Sequence, residues 1–158
     1  MGNMKKKKKW WVWLIVALYI YWIFSNSLTV AELSASASYK VTGKLAQWIQ
    51  HIGLFADFDT FHYYVRKLAH FTEFAGLGFL VMIAMHICPL FRSRFLNFTS
   101  FLVLVPLTDE LIQHFVPGRS PQFTDVLIDG GGFLFGGFIA YLIVLIFKDI
   151  FLRNTKDA

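Results

Sequence analysis

Between Trp10 and Val30 the chain carries no charged side chain, and this stretch follows five consecutive lysines, Lys5 to Lys9. About 20 apolar residues in a helix cross a hydrocarbon core of ~30 Å. Three further stretches approach that length: about Lys67 to Leu90, Phe95 to Val116 and Asp125 to Phe147, each with ionisable residues toward one end. Only 16% of the 158 residues are charged, against roughly a quarter in soluble domains, so lipid is the expected solvent. The expected fold class is all-α: a single membrane domain over residues 1–158, an integral bundle of four transmembrane helices spanning about 10–30, 67–90, 95–116 and 125–147.

The lysine run followed by apolar residues resembles a secretory signal, and Ala35-Ser36-Ala37 offers a cleavage site. The apolar run ends at Phe24, well before that site, and its Trp and Tyr residues suit interfacial anchoring, so an uncleaved anchor is expected. Cytoplasmic loops collect Lys and Arg. With the N-terminus inside, the inner side holds ten basic residues against two acidic ones, and the outer side five basic against eight acidic. The expected topology is therefore N-in/C-in, with both termini cytoplasmic.

Between the first two spans, Val41, Leu45, Trp48, Ile52 and Phe55 recur at helical spacing, with Lys44, Gln47, Gln50 and His51 on other faces. This pattern predicts an amphipathic helix on the outer interface. An exposed connector is the alternative, because Gly43 and Gly53 weaken a helix there. The single Cys88 sits in an apolar run as a packing residue. No groove-sized basic patch supports nucleic-acid binding.

Ionisable groups inside spans are costly and are usually paired or functional. In the second span, helical spacing places Arg66, His70, Glu73 and Leu77 on one side. In the third, Asp109 shares a face with Gln113, and Glu110 with His114. Pro106 predicts a kink before that acidic end. The breakers Pro117, Gly118 and Pro121 form a turn, and Asp125 and Asp129 then open the fourth span in line with Gly132 and Gly136. In the N-in topology these groups meet at one level, in or just above the outer leaflet. Plainer readings stand beside this one. Asp125 caps its helix, Arg119 forms a structural ion pair with an acid, and the glycines serve ordinary helix packing.

The segments R-K-L-A-H-F-T-E-F (66–74), D-E-L-I-Q-H-F-V-P-G-R-S (109–120) and D-V-L-I-D-G-G-G (125–132), with the polar Phe24-Ser25-Asn26-Ser27 stretch, resemble the VanZ-like family of small bacterial membrane proteins. That resemblance covers the chain from Phe24 to about Phe138. It implies a role at the cell envelope associated with reduced susceptibility to teicoplanin, a lipid-bearing glycopeptide. The family pattern selects Lys67, His70, Glu73, Asp109, Glu110, Gln113, Arg119 and Asp125. Asp129 stands where the family often has Asn, which adds a carboxylate.

Two functions follow as expectations. One is antibiotic resistance or envelope-lipid handling at the outer leaflet, with membrane lipids, a lipid-linked cell-wall precursor or a lipoglycopeptide as partner. Lys67, Gln113, Arg119, Asp125 and Asp129 would then bind substrate. The other is an intramembrane enzyme on a lipid-linked substrate, with His70, Glu73, Asp109 and Glu110 catalytic. These side chains offer a general acid and base, or oxygen and nitrogen ligands for a divalent metal, while no H-E-x-x-H, G-x-S-x-G, P-loop or Cys cluster fixes a cofactor. Four helices without an inverted repeat disfavour a monomeric carrier.

Overall fold

A computed structural model describes residues 9–29, 31–51, 57–119 and 122–154. Residues 5–8 of the lysine run, Val30, Ile52, Phe55, Ser120 and Pro121 lie outside the described residues. Five helices follow in order, α1 (Trp11–Ser27), α2 (Ala31–His51), α3 (Phe58–Ile87), α4 (Arg94–His114) and α5 (Phe123–Asn154), with no strand among the described residues. Among the described residues three stretches are long and apolar enough to cross a membrane, Phe58–Ile87, Arg94–His114 and Phe123–Lys148, while Trp11–Ser27 is a shorter apolar helix.

α3 begins nine residues before the apolar stretch that predicts it. Hydropathy marks where lipid is tolerated, whereas a helix starts at its cap. Asp57 supplies that cap, its carboxylate accepting from Thr60 N at 3.1 Å. α4 starts on Ser93, whose hydroxyl accepts from Leu96 N, and it passes Pro106 without ending. The buried Asn97 organises the α3–α4 turn. Its Oδ1 accepts from Leu90 N and Phe91 N, and its Nδ2 donates to the carbonyls of Phe91 and Ser93.

Pairwise contacts fix the helix directions. Trp13 near the start of α1 donates to the Cys88 carbonyl just past α3, while Tyr19 donates to the Glu73 carbonyl, so α1 and α3 are antiparallel. Trp13 stacks on Phe101, and Ser27 meets Asp109, so α1 and α4 are parallel. Lys67 meets Asp125, Phe71 meets Gly132 and Ala75 meets Gly136, so α3 and α5 run together. The C-terminal ends of α1 and α4 therefore lie at the same end of the bundle as the N-terminal parts of α3 and α5.

The α3–α5 contact is backbone on backbone. A Cβ at Gly132 or Gly136 would overlap the carbonyl oxygen of Phe71 or Ala75, and one at Gly78 would overlap that of Phe133. Gly76 instead faces the Tyr19 ring of α1. Small residues permit such approach, and packing rather than the hydrophobic effect holds helices together in lipid. Phe74, Leu77, Val81, Val105 and Phe133 fill the core. Leu14, Leu18, Trp22, Leu104, Leu111, Leu134 and Phe138 face outward, an apolar surface that matches lipid rather than water.

α2 packs on α3 through Thr42, whose hydroxyl lies 3.0 Å from Nδ1 of His62, and through Tyr39, stacked on the same imidazole at 4.1 Å. Its apolar stripe stays uncovered: Val41 is 53%, Leu45 44% and Trp48 77% exposed.

Candidate functional site

The polar residues converge at the end of the bundle set by the helix directions. Asp109, on the buried side of α4, receives Ser27 Oγ at 2.7 Å and Gln113 Nε2 at 2.9 Å, one donor on each oxygen. Next to Ser27 in the chain, Asn26 donates from Nδ2 to Oε1 of Glu73 at 3.2 Å. Asp129 of α5 lies fully buried beside His70 of α3, with Nδ1 of His70 3.7 Å from its Oδ1. A donor atom from each of His70, Asp109 and Asp129 falls within 4.8 Å of the other two. Three helices thus bring their ionisable groups to one point.

A second layer lies nearer the opening. Lys67 pairs with Asp125, lies 3.4 Å from Oε1 of Gln122 and sits 5.1 Å from the centre of the Tyr63 ring. Asp125 is in the first turn of α5, where a carboxylate also complements the helix dipole. Glu110 reaches from α4 to accept from Gln122 N at 2.9 Å, capping the start of α5 from a neighbouring helix. The α4–α5 turn passes through Gly118, whose φ of 78° suits glycine.

Arg119 does not form the ion pair that the acids around it suggest. Its Nε donates to the Thr29 carbonyl at 3.2 Å and its Nη2 to the Asn26 carbonyl at 3.3 Å. A cation there satisfies carbonyls at the end of α1 and complements the negative end of its dipole. Burial, followed by the nearby Arg66, pulls the Arg119 guanidinium below its ordinary value, yet a guanidinium stays charged at neutral pH. Among the described residues Lys67 pairs with Asp125, Nδ1 of His70 approaches Oδ1 of Asp129 at 3.7 Å, and Arg66 takes part in neither contact.

Above these layers opens a cavity of about 490 Å³. Tyr39, His62 and Tyr63 line it with aromatic rings, Arg66, Lys67 and Arg119 supply cations, and His70, Gln113 and Asp125 line it as well. Asp109 and Asp129 are not on its lining, so His70 touches both the open space and the buried acids.

Of the residues singled out by sequence, His70, Asp109 and Asp129 come together, Glu73 and Glu110 flank them, and Lys67, Gln113, Arg119 and Asp125 line the cavity. His114 is exposed and apart from the group. Asn26 and Ser27 are structural partners of the acids that sequence reasoning left out of the site. Their signal was available, since they are amide and hydroxyl groups at the end of a charge-free span. Tyr39, His62 and Tyr63 were missed as lining, and Arg66 was grouped with His70 and Glu73 but left out of the site, because all four precede the apolar stretch that marks the second span.

No curated protein and no solved structure gives a significant match to the chain. Residues 10–148 match the family model VanZ/LLP1. With that match over most of its length and its membrane-span-like helices, this multi-pass membrane protein belongs to the VanZ/LLP1 family.

Proposed function

We propose that the chain is a four-span protein of the bacterial cell membrane with both termini in the cytoplasm, and that its cavity receives the anionic headgroup of a phosphorylated, lipid-linked envelope molecule at the outer leaflet. The carrying observation is the pair of guanidinium groups on the cavity, Arg66 and Arg119, neither of which is in an ion pair among the described residues. Guanidinium forks favour phosphate and carboxylate oxygens, through charge-assisted hydrogen bonds. The uncovered stripe of Val41, Leu45 and Trp48 supports α2 as an interfacial helix, seating the opening where headgroups lie. Excess basic residues on the N-terminal and Arg92–Arg94 side support the orientation.

The physiological output in this reading is lower access of teicoplanin-type glycopeptides to their lipid-linked target. Expression in a sensitive host is expected to raise resistance to teicoplanin more than to vancomycin, and Arg66→Gln is expected to abolish the difference at equal protein level. Unchanged teicoplanin susceptibility argues against the role. In purified form, a prenyl diphosphate should bind the wild type at least tenfold more tightly than Arg66→Gln, since one charge-assisted hydrogen bond contributes about 1.5–3 kcal/mol. Equal binding removes the headgroup assignment.

A second reading, an intramembrane enzyme on the same class of lipid, is favoured by the placement of His70 between the cavity and Asp109 and Asp129. An imidazole beside carboxylates at the base of a binding cavity is a general acid–base arrangement. Its test is turnover, read as phosphate released from a prenyl diphosphate by purified wild type and His70→Gln.

A further inference from the structure

Headgroup binding at the cavity leaves the carboxyl group of Asp129 unexplained. It is 0% exposed, and neither oxygen has a hydrogen-bond partner among the described residues. Buried polar groups are normally satisfied, and a lone carboxylate in a dry interior is strongly disfavoured. Nδ1 of His70 faces it at 3.7 Å, beyond hydrogen-bond length, and also lacks a hydrogen-bond partner among the described residues. Two unsatisfied atoms from different helices thus point at each other across a gap, and Asp109 borders the same gap.

We propose that Nδ1 of His70 and one carboxylate oxygen each from Asp109 and Asp129 hold a divalent metal ion of the zinc or manganese class. Imidazole beside carboxylates suits these ions, whereas magnesium and calcium favour all-oxygen shells. Two carboxylates and a neutral imidazole carry two negative charges, which one divalent ion balances without any further buried counter-charge. One donor atom from each of the three residues lies within 4.8 Å of the other two, and Nδ1 of His70 is 3.7 Å from Oδ1 of Asp129. Two ligands at about 2.1 Å from an ion stand about 3.4 Å apart in a tetrahedral shell and at most about 4.2 Å apart in any, so the widest pair of side chains closes by about 1 Å around it. Ser27 and Gln113 already hold one oxygen each of Asp109, the outer support that orients a ligating carboxylate. Three protein ligands leave coordination positions free, and the lining position of His70 puts the ion within reach of the cavity.

The site is tested with metal alone and no lipid, so its failure leaves headgroup binding standing. Full-length protein in detergent is stripped with a chelator, incubated with zinc or manganese chloride, desalted and assayed for bound metal by mass spectrometry, with thermal unfolding followed in parallel. About one ion per chain is expected, with a rise in Tm. Asp129→Asn, which keeps shape and removes charge, is expected to lose the rise and at least tenfold in affinity. His70→Gln serves the same purpose if Asp129→Asn does not accumulate. Wild-type protein that retains neither metal, or an Asp129→Asn or His70→Gln variant that binds as well as wild type, overturns the proposal. Should the wild type take no ion while Asp129→Asn is more stable than wild type, Asp129 is a neutral buried acid instead.

Discussion

Ser27 on α1 donates its hydroxyl to Oδ1 of Asp109 on α4 across 2.7 Å, although 82 residues separate them in the chain. This bond ties the end of a charge-free helix to the acidic end of another, and Nε2 of Gln113 reaches the same hydroxyl at 3.4 Å.

Removing that donor should be felt in stability. Ser27→Ala leaves a buried carboxylate oxygen without its partner, at a cost of about 1–3 kcal/mol. Asp109→Asn combined with Ser27→Ala should cost less than the two single changes together, because residues sharing one hydrogen bond couple by about 0.5–3 kcal/mol. Reversible unfolding of the four proteins in mixed micelles measures both, and strict additivity would show that the bond contributes nothing.

The glycines of α5 should divide sharply. Gly136→Ala drives a methyl group into the Ala75 carbonyl oxygen, forcing α3 and α5 apart at a cost of about 1–3 kcal/mol or more. At Gly130 the same change meets only Leu102 Cδ1 at 3.7 Å, an ordinary contact, and alanine gains up to about 1 kcal/mol in helix propensity. Thermal unfolding should therefore fall for Gly136→Ala and hold or rise for Gly130→Ala. Equal effects would contradict the backbone contact.

Arg119→Lys should not restore what Arg119→Ala loses. The guanidinium serves the carbonyls of both Thr29 and Asn26 from one rigid fork, a geometry an ammonium does not reproduce. Each variant should lose about 1–3 kcal/mol of stability. Full stability in Arg119→Lys would mean that charge alone suffices at the end of α1.

The orientation has its own readout. In a Cys88→Ser background, a cysteine at position 122 should react in intact cells with a membrane-impermeant maleimide, and one at position 92 only after permeabilisation. Cys88 is the one cysteine of the sequence, so serine there leaves the introduced thiol as the reactive group. The reverse pattern of labelling would place the cavity on the cytoplasmic side.

Much of this arrangement was legible in the sequence because two simple rules compound. Helical spacing put His70 and Glu73 on one side of their helix and Asp129 in line with the glycines of its own. Reversal of direction at each span then brought separate segments to one level. The start of α3 was less legible, since Phe58 to Arg66 mixes charges and aromatics and falls outside the apolar run, and Asp57 at its head was the available sign. The partners of Arg119 were illegible for a deeper reason. They are main-chain carbonyls, which every residue carries, and no pattern of side chains announces them.

Seating the Phe71 and Ala75 carbonyls in the notches at Gly132 and Gly136 also constrains movement. Neither helix can rotate or slide by a fraction of a turn without lifting out of the other, so His70 and Asp129 ride on what is mechanically a single beam. Any adjustment to an incoming molecule falls to α1, α2 and the α4–α5 turn, which places adaptability in the rim and leaves the base with a fixed gauge.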